Sequence, residues 1–260
     1  MALMDRQQVD AYLARIGVGR PARTGAAALR ELQLAHLRTV PFENLGIHLA
    51  ETIELDEVAL VEKIVGRRRG GFCYELNGLF AALLEALGFT VTLMAARALG
   101  PDGPGPPFDH LALRVDAPEP WLVDVGFGRH SHHPLRLDVP GDQHDPEGTF
   151  RVTELPDGDV DITLDGGGQY RVEPRPRVLA DFEPTCWRHR TSPRSHFTHG
   201  PVCTRLTGRG RITLSGATLI ETAGGVRDER TLATDAEILA AYRDHFGIVL
   251  DRVPAVRAPA

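Results

Sequence analysis

The apolar pattern of this chain changes period near residue 90, and that change limits the fold more than any other feature. Before it, apolar residues recur at helical spacing; after it, short β-forming runs alternate with glycine and proline. Val9, Tyr12, Leu13 and Ile16 predict a first helix, stopped by Gly17. Leu29, Leu32, Leu34 and Leu37 predict a second, which ends before Val40-Pro41 because the residue preceding proline avoids helical angles. Residues 56–65 predict a third. The run Leu79-Phe80-Ala81-Ala82-Leu83-Leu84-Glu85-Ala86-Leu87 predicts a buried fourth, with Gly88 just past its end.

Strands are expected at 90–97, 110–115, 121–125, 150–153, 160–164 and 169–172. Residues 100–107 are too rich in proline and glycine for helix or strand. Segments 211–214 and 217–222 read as a hairpin around Ser215-Gly216, and a last helix runs over 235–246 with Thr234 as N-cap. The expected class is α+β, its short strands forming an antiparallel barrel or sandwich. No internal repeat is visible.

The helical half leads to Arg67-Arg68-Arg69-Gly70-Gly71-Phe72-Cys73. Cys73 falls in the first turn of the fourth helix, where unpaired backbone N–H groups and the positive end of the dipole favour thiolate. The expectation is a thiol pKa below its free value near ~8.5. A buried cysteine acting as a small hydrophobe is the other reading. Pro41-Phe42-Glu43-Asn44-Leu45-Gly46 reads as an ordered turn, and Glu43 with Arg68 is a candidate ion pair to the Cys73 loop. Otherwise the arginine run is a solvated face.

Composition excludes several classes. With a formal net charge of −6, neither a nucleic acid nor an anionic membrane is an expected partner. There is no apolar run near ~18 residues, hence no expected span. The stretch Met1-Ala2-Leu3-Met4-Asp5-Arg6-Gln7 lacks a signal peptide's apolar core. Cysteines at 73, 186 and 203 form no C-x-x-C pair, so a cytoplasmic chain with reduced thiols is expected, Cys186 and Cys203 being structural or incidental.

A nucleophilic cysteine needs a base, and the base an orienter. His110 opens one predicted strand and Asp124 lies on the next, so antiparallel pairing can set imidazole and carboxylate side by side. Asp109 and Asp116 are rival carboxylates; on a strand Asp109 points away from His110. Alone, His110 also reads as a structural histidine. His130, His132, His133 and His144 occur near Asp138, Asp142 and Asp145. That is a metal-ligand composition, but its spacing and prolines favour a solvated loop, and no metal is expected.

The segments 68–78, Pro41-Phe42-Glu43-Asn44-Leu45, and Leu122-Val123-Asp124-Val125-Gly126-Phe127-Gly128 resemble three signatures of the arylamine N-acetyltransferases. Trp187-Arg188 with Ser192-Pro193-Arg194-Ser195-His196-Phe197 is similar to a looser fourth. The resemblance implies a helical bundle over 1–90 carrying Cys73, a β-barrel over 91–199 carrying His110 and Asp124, and an α/β lid over 200–260. It implies Cys73 as acyl acceptor, His110 as base and Asp124 as orienter. Phe42, Phe127 and Phe197 would line an aromatic acceptor pocket, and Glu43 would pair with Arg68. Acetyl-CoA would be the donor co-substrate, with no permanently bound cofactor, and an arylamine or hydrazine the acceptor. Two features depart from the pattern: the proline- and glycine-rich loop before His110, and Asp109 itself. A thiol hydrolase or transglutaminase-like enzyme with the same three residues is the alternative outside the family. A macrolactam-forming amide synthase using a carrier-protein thioester is the alternative within it.

Overall fold

The structure is a computed structural model that describes residues 4–101 and 103–256. Met1, Ala2 and Leu3 of the N-terminal stretch, and Asp102 of the proline-rich loop, lie outside the described residues.

Helix α1 (Arg6–Ile16) starts at Asp5, whose carboxylate accepts from the Gln8 N–H at 2.8 Å while the Gln8 side chain accepts from the Asp5 N–H. It ends at Gly17 in the left-handed conformation. α2 (Ala26–Thr39) stops at extended Val40, as the following proline requires. Then come β1 (Phe42–Glu43), α3 (Leu45–Leu49) and α4 (Glu57–Val61), which runs into one π-helical turn, Glu62–Gly66. α5 (Cys73–Ala86) buries every residue from 73 to 84, as a helix apolar on all faces must.

The strands follow as β2 (Thr90–Gly100), β3 (Gly103–Pro104), β4 (His110–Asp116), β5 (Pro120–Val123), β6 (Leu135–Arg136), β7 (Gly141–Asp145), β8 (Gly148–Glu154), β9 (Val160–Leu164) and β10 (Gly167–Arg177). Their antiparallel order is β6-β5-β4-β2-β10-β9-β8-β7, with β3 paired to β2. The sheet curls until its two edges meet. Gln143 on β7 accepts from the Arg136 N–H and donates to its carbonyl on β6, both at 2.8 Å, so one side-chain amide bridges the seam of a near-barrel.

Helix α6 (Glu183–Thr191) leads to β11 (Val202–Leu206), β12 (Gly210–Ser215), β13 (Thr218–Ala223) and β14 (Val226–Thr231), and α7 (Asp235–Phe246) follows, capped by Thr234. These strands form a second sheet in the order β1-β11-β12-β13-β14. The early β1 thus joins the last sheet, and Leu45 and Leu49 of α3 share the apolar cluster of Tyr242, Phe246 and Cys203. The class is α+β, with a helical N-terminal part, a central antiparallel near-barrel and a C-terminal sheet-plus-helix lid. Among the described residues no helix is long and apolar enough to cross a membrane.

The expected Glu43–Arg68 pair is corrected. Glu43 pairs with Arg69 at 2.9 Å, and Arg69 also holds Glu51 at 2.9 Å. Arg68 takes a positive φ of 54°, which turns the chain so that its side chain faces solvent and the next enters the interior. Burial alone would raise the Glu43 pKa, but the Arg69 and Lys63 charges hold it below the carboxylate range. Removing one member of a buried pair strands the other charge, so Arg69→Ala should cost about 3–5 kcal/mol. Arg68→Ala should stay within about 0.5 kcal/mol. Urea unfolding of both variants checks this; a larger loss at residue 68 reverses the assignment.

Candidate active site

Cys73 reaches the floor of a cavity because the backbone on either side packs without side chains. At Gly70 a Cβ would stand 1.9 Å from the Pro41 carbonyl oxygen, so residue 70 lies flush against the 41–43 turn. At Gly126 a Cβ would stand 2.8 Å from the Cys73 Cα, so the turn after β5 closes directly over the start of α5. The Gly126-Phe127-Gly128 turn thus lies directly against the nucleophile's backbone.

Antiparallel pairing of β4 with β5 sets Leu113 opposite Val123, which brings His110 and Asp124 to the same end of the sheet. His110 Nε2 lies 2.6 Å from Asp124 Oδ2, both residues being buried. The other Asp124 oxygen accepts from Asn77 Nδ2 and from the Gly126 N–H, each at 2.8 Å. Burial alone would raise the Asp124 pKa; the His110 charge and hydrogen bond, with the Asn77 amide, hold it far below the usual carboxylate range. A carboxylate held on three sides fixes the ring, leaving Nδ1 for the cavity.

Burial pushes the Cys73 thiol well above its ordinary value. A Leu111 backbone N–H at the sulfur opposes this, while the Asp124 and Asp109 carboxylates add to it. The expectation of a lowered pKa is therefore not met in the unpaired thiol. A helix terminus contributes about 0.3–1 kcal/mol, less than one pKa unit, whereas full burial shifts a group by up to about 3–5 units.

Cys73 and His110 line one cavity of about 270 Å³ with Phe42, Phe127, Phe197 and Asp109. The three phenylalanines expected at a pocket thus meet there. Phe42 and Phe197 have centroids 6.2 Å apart, and Phe127 packs edge-on to the His110 ring at 5.0 Å. Asp109 is on this wall too, 3.3 Å from His189 Nε2, although the sequence placed it on the face opposite His110.

Sequence reasoning missed three supports. Asn77, four residues after Cys73, donates to Asp124 and to the Leu111 carbonyl and accepts from the Val125 N–H at 2.9 Å. Its helical i+4 spacing from Cys73 was the available signal. Tyr170 and His130 back the cavity, with the Tyr170 hydroxyl 3.0 Å from His130 Nε2. His130 is therefore not part of a solvated loop but is buried against Phe150 and Phe127. His132 pairs with Glu147 and His133 with Asp145. Among the described residues no group of three or more His, Cys, Asp or Glu is arranged to hold a metal ion. The three cysteines are free and buried, Cys186 in the main core and Cys203 on β11 of the last sheet. Lys63 and Glu75 form a buried pair at 2.6 Å, and Glu75 also accepts from the Phe72 N–H, steadying the start of α5.

The N-acetyltransferase family model matches residues 26–255. An arylamine N-acetyltransferase of Mycolicibacterium smegmatis is 37% identical over 257 residues, covering 92% of this chain and 91% of that protein. The structure of the Salmonella typhimurium arylamine N-acetyltransferase superposes with a TM-score of 0.88 at 29% identity, covering 98% and 96% of the two chains. That of the Mycobacterium marinum enzyme in complex with CoA gives 0.84 at 31% identity, covering 92% of each. With a matching family model over most of its length, and the expected motifs gathered at one cavity, the chain belongs to the arylamine N-acetyltransferase family of acyltransferases.

Proposed function

We propose that the protein transfers an acetyl group from acetyl-CoA to an arylamine or arylhydrazine through an acetyl-Cys73 intermediate. The observation that carries this is the convergence of Cys73 and the His110–Asp124 pair on one aromatic-walled cavity. The CoA bound to the Mycobacterium marinum relative supports the donor.

In the first half-reaction the Cys73 sulfur attacks the thioester carbonyl as its proton passes to His110 Nδ1. The tetrahedral adduct expels the CoA sulfur, which takes that proton and leaves as the thiol. Exchange between two sulfurs is nearly balanced, so the step suits a cysteine. In the second half-reaction the amine nitrogen attacks the acetyl carbon and gives its proton to His110. Cys73 leaves as thiolate and recovers the proton. Asp124 keeps the ring in the tautomer that can accept at Nδ1 and stabilises it once charged. Backbone N–H groups at the start of α5 can hold the oxyanion. Phe42, Phe127 and Phe197 would stack against the acceptor ring.

A second, larger cleft lined by Arg38, Arg129, Arg209, Arg211 and Arg227 suits the phosphates of the donor. Arg129 of that cleft follows Phe127 of the first cavity by two residues in the chain. The same reading divides the chain at 1–90, 91–199 and 200–260, with β1 lent to the third unit's sheet, and assigns a cytoplasmic enzyme without bound cofactor or metal.

The test is intact mass after incubation with acetyl-CoA alone, followed by steady-state kinetics. One acetyl group on Cys73, a burst of free CoA and parallel double-reciprocal lines are expected. Intersecting lines with no acetylated protein would mean direct transfer and remove Cys73 from the path. Acylation by a carrier-protein thioester but not by acetyl-CoA would favour the amide-synthase alternative.

A further inference from the structure

The two departures noted in the sequence, Asp109 and the glycine- and proline-rich loop before it, turn out to be one structural feature. Asp109 Oδ2 accepts from the Ala98 N–H on β2 at 3.3 Å, and Oδ1 lies 3.3 Å from His189 Nε2. His189 is itself oriented by Ser195, whose Oγ lies 3.1 Å from Nδ1. The loop returns to β2 just above the carboxylate: the Gly105 N–H donates to the Ala98 carbonyl at 2.8 Å. A Cβ on Gly105 would stand 2.4 Å from Asp109 Oδ2, so glycine at 105 makes room for that oxygen. The carboxylate is built in, with its side chain only 12% exposed.

It nonetheless faces the cavity of Cys73 and His110. A carboxylate offers about four acceptor sites, and the contacts to Ala98 and His189 use two of them. Burial alone would raise the Asp109 pKa, but the hydrogen bond and charge of His189 hold it below the usual range, so it is an anion at neutral pH. No lysine or arginine lines this cavity among the described residues. Burial lowers the pKa of His196, the other histidine on the wall, with His189 adding to the effect, so it brings no compensating charge. The rest of the wall is largely aromatic and apolar.

We infer that Asp109 selects acceptors by charge: the cavity favours arylamines that carry a second hydrogen-bond donor or a cationic group, and disfavours those that carry a carboxylate. This rests on the reading that the cavity takes the acceptor amine. A carboxylate on the acceptor meets a fixed like charge in a low-dielectric site whose wall offers it no lysine or arginine. A donor or cation there meets an oxygen with free lone pairs.

The probes are 4-aminobenzoate, 4-aminobenzamide and 4-(dimethylaminomethyl)aniline, with their meta isomers, on the wild type, Asp109→Asn and Asp109→Ser. Rates of deacylation of the acetyl-enzyme are read as ratios to the neutral amide, which cancels general damage. The anion-to-amide ratio should be about tenfold or more lower in the wild type than in Asp109→Asn, and the cation-to-amide ratio should fall in both variants. Ratios that stay within about twofold while all rates drop together would make Asp109 a structural tie only and overturn the inference. If neither variant folds, calorimetric binding of the six probes to the wild type decides. Benzoates bound as well as benzamides overturn the inference; weaker benzoates support it. Failure of acetyl-CoA to acylate Cys73 would sink the proposed function, while the binding order would still judge Asp109 separately.

Discussion

Cys73→Ala is expected to keep the fold and lose turnover by about 10³-fold or more, with no acetyl mass gained from acetyl-CoA. Among the described residues lining the cavity, Cys73 is the one thiol, the nucleophile suited to exchange an acyl group with a thioester. Alanine keeps the helix start, since the α5 entry is held by Glu75 on the Phe72 N–H and by the Lys63–Glu75 pair rather than by the thiol. Thermal melting should therefore move little. Cys186 shares the main core with Cys73 and Cys203 lies in the lid cluster, but neither lines the cavity and neither should substitute. A fully active Cys73→Ala protein would end the covalent mechanism. An inactive but unfolded one would be resolved by Cys73→Ser, which keeps a small polar atom in place and should fold while remaining at least about 10²-fold slow.

The second large effect is expected at Asp124. Asp124→Asn should lower the rate of both half-reactions by about 10²–10⁴-fold. An amide can present its NH₂ to His110 Nε2, which then has to accept; the proton moves to Nδ1, and the nitrogen facing the cavity can no longer take one. The rest of the network fixes that orientation, because Asn77 Nδ2 and the Gly126 N–H both donate to the one oxygen that asparagine keeps, which leaves its NH₂ facing His110. KM for the donor should change far less than kcat, because the carboxylate is fully buried and touches no substrate. A large rise in KM at unchanged kcat would show that residue 124 shapes the pocket instead of the imidazole.

Much of this site was legible because its signals are local. Gly17 ends α1, Thr234 caps α7 and Val40-Pro41 stops α2 through contacts within a few residues, whatever the rest of the chain does. The same holds for strands of strong β-formers such as β4 and β9, and for the hairpin at Ser215-Gly216, where Ser215 pairs with Thr218. Other strands carried no such pattern. β14 is exposed along its whole length, so it has no apolar alternation to read and forms because β13 offers it a ladder. β7 came from a stretch rich in histidine, aspartate and proline, and exists because the barrel seam needs an edge partner.

By itself the sequence determined which residues are available: a cysteine behind paired glycines at a helix start, a histidine and an aspartate on successive strands, and phenylalanines in three separate motifs. These depend on chain neighbours, and local chemistry is enough to read them. Tertiary structure decided which of two adjacent arginines enters the core. One positive φ at Arg68 sends Arg69, not Arg68, to Glu43. It decided the thiol's resting state, since the depth of burial at Cys73 outweighs the helix terminus. It also decided that Asp109 lines the same cavity as His110, because β2, the Gly105 loop and α6 close around it from parts of the chain far apart in sequence. Burial and the meeting of distant side chains are properties of the packed chain, and no window of sequence contains them.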